Sequence, residues 1–170
     1  MQSMEQDNKE NLREIDRIIA ALVIFSSDGK ILMGRKDPKK GGVYPDAWHI
    51  PGGGMESDDE DDLFNTAIRE GEQEVVGLKL TRDMLSQLPE VGHGATYRTL
   101  ESGERVWCKM EFNHFEVHLD RTADQLRDEL QPGDDLVELQ FFGRDELADV
   151  RQIPGGKEFF IEAGYIHQSA

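Results

Sequence analysis

Glu70 and Glu74 are the residues of this chain whose type and spacing first suggest chemistry. They stand four apart, so on a helix they project side by side from successive turns, where like charges repel by roughly 0.2–0.5 kcal/mol. A cation held between them removes that repulsion, and hard divalent ions take oxygen ligands of this kind. At about 100° per residue, Arg69, Glu70, Gln73 and Glu74 fall within an arc of roughly 140°. Phe64, Ala67, Ile68, Val75 and Leu78 fill a neighbouring arc of roughly 100°. One face of the expected helix can dock on a core while the next presents its acids. A solvated acidic face is the competing reading in a chain this rich in acids.

The elements around the helix must hold those carboxylates against something. Pro51-Gly52-Gly53-Gly54 forces an irregular turn just upstream, and glycines let backbone groups approach a ligand closely. From Glu56 to Asp62 every residue except Ser57 is acidic. An EF-hand is excluded, because counting from Asp58 the sixth position is Leu63 and the twelfth is Arg69, where glycine and glutamate are needed. Most of this run is expected to be solvated, its first-turn acids suiting the positive end of the helix.

Together, Trp48-His49-Ile50-Pro51-Gly52-Gly53, the Gly54 to Glu60 spacing, Arg69-Glu70, Glu74 and Gly77-Leu78 resemble the Nudix box, G-x5-E-x7-R-E-U-x-E-E-x-G-U with U aliphatic. The match departs from the pattern in several places. Eight residues rather than seven separate Glu60 from Arg69, Gly71 replaces an aliphatic residue, Gln73 stands where the first glutamate of the pair belongs, and Gly77 comes one residue late.

The resemblance implies an α/β fold, a Nudix-type α/β/α sandwich with a mixed sheet in a single domain. It implies a metal-dependent pyrophosphohydrolase that cleaves a phosphoanhydride in a nucleoside diphosphate linked to another moiety, or in a nucleoside triphosphate. Mg2+ is the expected cofactor, with Mn2+ as a substitute, and a small-molecule nucleotide the expected partner. Glu70 and Glu74 become the metal carboxylates, the Gly53 carbonyl joins them, and Arg69 pairs a box carboxylate to hold the geometry. Glu60, at the box position, is the member of the acidic run expected to have a role. Gln73 is the departure of most consequence, since an amide oxygen coordinates without bringing charge and takes no proton. A carboxylate beyond the box completes the cluster in many relatives. Glu111 and Glu116 both qualify, on opposite parity of one strand, and Glu111 is carried forward as the candidate. The rival reading is a weak or inactive Nudix-fold nucleotide-binding regulator, in which the distorted box keeps the fold but not turnover.

Composition narrows the partners. With 170 residues, 19 Lys plus Arg against 35 Asp plus Glu, and a net charge of -16, the chain can build one domain with a real core. It has no bulk basic surface for nucleic acid or an anionic membrane. Any anionic substrate needs metal ions or local basic groups. Cys108 is the only cysteine, which excludes an intramolecular disulfide framework. No apolar run reaches 18 residues and no signal-like order opens the chain, so a cytoplasmic location is expected.

Residues 1–14 read as a polar tail and 15–170 as the domain; exchange of the tail between protomers would give a homodimer. Ile15 to Phe25 and Lys30 to Arg35 read as two strands joined by Ser26-Ser27-Asp28-Gly29. Arg35, within the Arg35-Lys36 and Lys39-Lys40 cluster, is the candidate phosphate contact, with solubilising charge the bland alternative. Tyr44 is a candidate stacking residue for substrate, as are Tyr97 and Trp107, and Trp48 is read as core. Leu78 to Leu80 is expected to enter a strand. His93, between Gly92 and Gly94, is read as a surface histidine in a flexible segment. Arg105 to Leu119 alternates as a clear strand. Arg121 to Leu130 is polar, and Leu136 to Phe142 reads as a buried strand. On it Glu138 is a candidate base or orienting group, or else a salt-bridged edge residue. Ile153-Pro154-Gly155-Gly156-Lys157 fails as a phosphate loop, lacking the first glycine and carrying Glu158 in place of Ser or Thr. A helix from Lys157 to Ala163 closes the reading.

Overall fold

A continuous apolar run makes the central strand. From Ala20 to Phe25 every residue of β1 (Glu14–Phe25) is buried, which suits a strand covered on both faces. The structure, a computed structural model, describes residues 11–40 and 46–166; Tyr44 and most of the expected N-terminal tail lie outside them. Ser26 to Gly29 turn the chain as expected, with Gly29 at φ +80°, a backbone conformation glycine adopts without strain. β2 (Ile31–Lys36) then returns antiparallel.

Beyond Phe25↔Ile31 the two strands part. The place beside β1 is taken by β4 (Gly52–Gly54), which follows β3 (Trp48–His49) and pairs Ile19↔Gly54, Ala20↔Gly53 and Ala21↔Gly52. This splitting of β1 from β2 is what docks the glycine turn against the centre of the sheet. Helix α1 (Leu63–Glu74) comes next, and β5 (Val75–Val76) follows it directly.

Two long strands extend the sheet. β7 (Arg105–His118) runs parallel to β1 from Glu14↔Trp107 to Phe25↔His118, and β6 (Ser86–Thr99) pairs antiparallel with β7 at the edge. β6 is a strand where the sequence around Gly92-His93-Gly94 suggests flexibility. Its ladder comes from β7 rather than from its own propensity, and Pro89 falls in a bulge between Gln87 and Val91, where a missing donor is tolerated. The strand expected over Leu78 to Leu80 does not form. β5 pairs instead with β8 (Gln131–Pro132), although Leu78 and Leu80 are buried.

The polar stretch after Arg121 contains α2 (Ala123–Glu129), started by a capping box in which Thr122 and Gln125 satisfy each other's backbone amides. β9 (Leu136–Phe142) pairs with β2, and α3 (Gly156–Glu162) follows. Alternation then makes two cores. Ala20, Leu22, Ile24, Phe115 and Val117 pack with Ala67 of α1 and Leu126 of α2, whereas Val23, Phe25, Ile31, Met33 and Phe142 pack with Phe160 of α3. The result is the expected α/β/α arrangement around a mixed, curled sheet. No described helix is long and apolar enough to cross a membrane.

Candidate active site

Two glycines decide how close α1 comes to the sheet. A Cβ at Gly71 would lie 2.5 Å from Leu22 Cδ1 and 3.0 Å from Leu80 Cδ1, so the aliphatic box residue is absent because neighbouring leucines already fill its place. A side chain at Gly53 would overlap the Glu70 carboxylate. The glycine turn therefore presses directly on the acidic face of the helix. Gly52 N–H closes the contact by donating to Glu74 Oε1 at 2.7 Å.

Arg69 locks this geometry. Its Nε and Nη2 donate to Asp59 Oδ1 and Oδ2 at 3.0 and 2.9 Å, Nη2 also reaches the Gly54 carbonyl at 3.0 Å, and Nη1 reaches Glu70 Oε1 at 2.7 Å. One guanidinium thus joins the acidic turn, the glycine turn and the helix. The box carboxylate it pairs is Glu70, as expected, and the member of the acidic run it holds is Asp59 rather than Glu60. Asp59 is 2% exposed and also accepts from Thr66 Oγ1 and Glu56 N–H, and the Arg69 hydrogen bonds hold its carboxyl well below the usual range. Glu60 is exposed and left-handed at φ +55°, followed by Asp61 at +57°. This pair of αL residues takes up the extra residue of the box before Asp62 caps α1 by accepting from Phe64 N–H. In a run of acids no sequence signal separates the buried member from the solvated ones.

Glu74 is 6% exposed, and desolvation pushes its carboxyl up to about 8. Gly52 N–H opposes the rise, Glu70 and Asp134 add to it, and Lys36 opposes it. Two neighbouring carboxylates, one of them buried and reluctant to ionise, set against the glycine turn, offer hard oxygen donors of the kind that suit Mg2+ or Mn2+. Among the described residues no group of three or more His, Cys, Asp or Glu gathers around one point.

The other candidates are placed as follows. Glu111 lies beside Ile18 in the β1–β7 register, on the α1 side with Phe115 and Val117, and accepts from Asn113 Nδ2 at 3.0 Å. Glu116 falls on the α3 side, where Tyr165 Oη donates to it at 2.6 Å. Gln73 is exposed on the helix surface. Arg35 and Glu138 are paired residues of β2 and β9, joined at 3.4 Å, and Arg35 also holds Asp46 at 2.6 Å. Because Glu138 alternates with Leu139, which packs on the α1 side, this pair faces away from α1. Trp48 packs edge-to-face on Phe142, and Tyr97 does the same on Trp107.

Residues 16–162 match the family model described as NUDIX domain. The chain belongs to the Nudix family. No curated protein sequence matches it. Among solved structures, the NUDIX domain of Shewanella oneidensis NrtR complexed with ADP ribose is similar, with a TM-score of 0.61 at 12% identity over 95% of this chain and 97% of that one. A bifunctional NMN adenylyltransferase/ADP ribose pyrophosphatase from Francisella tularensis, complexed with AMP and a Mn ion, gives 0.60 at 15% identity over 95% of this chain and 45% of that one. A MutT/nudix family protein from Enterococcus faecalis gives 0.52 at 16% identity over 83% of this chain, which spans only 51% of that protein. At these identities the likeness is one of fold.

Proposed function

We propose that the protein is a divalent-metal-dependent pyrophosphohydrolase acting on a phosphoanhydride in a nucleoside diphosphate linked to another moiety, or in a nucleoside triphosphate. The observation that carries this reading is the seating of Glu70 and Glu74 against the Gly52–Gly54 turn, with Arg69 fixing Glu70 and the turn. A pure binding module has no need to bury a glutamate beside a second one at the cost of its ionisation. ADP ribose and AMP in two similar folds suit a nucleotide ligand here.

Glu70 and Glu74, with the Gly53 carbonyl, would hold Mg2+ or Mn2+, and Glu111 is the third carboxylate nearest in register to the turn. The bound ion would supply neutralisation of the phosphate oxygens and a water of lowered pKa. The chain's own residues do the positioning. Arg69 fixes Glu70 by its hydrogen bond, Gly52 N–H fixes the Glu74 carboxylate, and the burial of Glu74 excludes water from its side of the site. Gln73, at the surface, contributes no charge, and Glu138, engaged by Arg35, serves to orient that arginine rather than as the base.

The test is phosphate release from nucleoside triphosphates, nucleotide sugars, ADP-ribose and dinucleoside polyphosphates with Mg2+ or Mn2+, assayed with and without added phosphatase. Metal-dependent turnover should fall by about a hundredfold or more in Glu70→Gln and in Glu74→Gln, as expected when charge stabilisation in the transition state is lost. Absence of turnover on every substrate, with nucleotide binding that survives both changes, would make the protein a nucleotide-binding regulator instead.

A further inference from the structure

In a chain of net charge -16, arginines readily find carboxylates. Arg13, Arg35, Arg69, Arg82, Arg121 and Arg127 each hold one. Arg17, Arg98 and Arg105 do not form an ion pair among the described residues, and these three line one cleft of about 630 Å³ together with Lys36, Thr96 and Met110. β1, β6 and β7 supply them through the register, which sets Arg17 beside Met110 and Arg98 across from Val106. Arg105 lies over the Tyr97 ring at 4.5 Å.

Clustering unpaired cations is unfavourable unless an anion is meant to join them. The Arg17 guanidinium is half-buried, and burial first, then the adjacent Arg98, hold it below its ordinary value. The cleft also touches the proposed active site. A side chain at Gly54 would overlap the Arg17 guanidinium, just as one at Gly53 would overlap Glu70, so consecutive glycines carry the carboxylate on one side and the guanidinium on the other. Among the described residues β4 pairs only with β1 and its other edge has no strand partner, and Lys36 lies within electrostatic reach of Glu74 while lining the cleft.

We infer that the Arg17–Arg98–Arg105 cleft is a phosphoryl subsite that takes the continuation of a condensed phosphate chain past the free edge of the glycine turn. This rests on the hydrolase reading for the placement of the scissile bond at Glu70 and Glu74, and it names the substrate class as nucleotides with three or more phosphates in line. Arginine suits the task because its planar fork binds phosphoryl oxygens two at a time.

The experiment is calorimetric titration of the full-length protein, in EDTA, with inorganic tripolyphosphate, pyrophosphate and ribose 5-phosphate. Tripolyphosphate should bind most tightly, and its affinity should fall roughly tenfold in Arg98→Gln and in Arg17→Met, as for loss of a charge-assisted contact. Arg121→Gln, which removes an arginine away from the cleft, should leave it unchanged. Arg98 is exposed, so its variant keeps the fold even where Arg17→Met does not, and thermal melting checks both. No binding by the wild type, equal binding by Arg98→Gln, or tighter binding of ribose 5-phosphate than of tripolyphosphate would each overturn the inference. Glu70→Gln should still bind tripolyphosphate without metal. Tripolyphosphate binding by the wild type, with no metal-dependent turnover of any nucleotide by the wild type, would sink the hydrolase reading while leaving the cleft an anion site.

Discussion

At the scale of single residues, Arg69 matters more to the site than either carboxylate it touches. Its guanidinium spans Asp59, Gly54 and Glu70, and with the Asp59 side chain only 3% exposed, removing the arginine would strand a buried charge. Arg69→Ala should therefore destabilise the fold by about 3 kcal/mol, the usual cost of breaking a buried pair from one side; urea unfolding of variant and wild type at pH 7 measures it. Asp59→Asn in the Arg69→Ala background should recover part of the loss by removing the stranded charge. Sequence alone identifies Arg69 as the clamp of a box carboxylate, which Glu70 is, but not its second and buried partner, Asp59. That Asp59 and not Glu60 is the acid of the run turned inward has a physical cause: the two left-handed residues Glu60 and Asp61 set which acid faces the helix, and nothing in a run of aspartates and glutamates forecasts that turn.

At the scale of elements, the packing of α3 on the sheet builds a pH dependence into stability. His114 of β7 stacks on Phe159 of α3 with ring centroids 3.7 Å apart, and its buried Nδ1 has no hydrogen-bond partner among the described residues. Burial lowers its pKa from 6.5 to about 4. Between those values the unfolded chain binds the extra proton and the folded one does not, so the contribution is fully present above about 6.5 and is lost as pH falls towards 4. Urea midpoints at pH 7 and pH 5 should differ more for the wild type than for His114→Phe, which keeps the stacking and removes the titration. Equal differences would place the acid sensitivity elsewhere.

Elements also show where pattern reading works. The β1–β2 hairpin, β7, β9 and α3 follow from alternation, apolar runs and turn residues, because in each case burial of the segment's own side chains drives its structure. β6 and β5 depend on backbone pairing with distant strands, and the sequence around Gly92 and Gly94 carries little of that information. The departure at Gly71 is likewise tertiary, since only the position of Leu22 explains the missing side chain.

For the molecule as a whole, the acidic balance and the fold act together. Net charge of -16 argues against a general basic surface, and the local cations that an anionic substrate would need are proposed to be Arg17, Arg98 and Arg105, which form no ion pair among the described residues and line one cleft. No linear pattern connects those positions, so only the topology discloses them. Glu70 and Glu74 could be proposed together from sequence because their spacing lies within one helix, whereas the outward pairing of Arg35 with Glu138 arises from strand register 103 residues apart.

The central claim is that Glu70 and Glu74, seated on the glycine turn, form one cation site. Its most direct test is Mn2+ titration followed by electron paramagnetic resonance of free Mn2+, for the wild type, Glu70→Gln and Glu74→Gln. The account predicts saturable binding by the wild type and affinity weakened by roughly tenfold or more in each variant, the loss expected when a charged oxygen ligand is replaced. Affinity unchanged in both variants, with the fold intact, would contradict it.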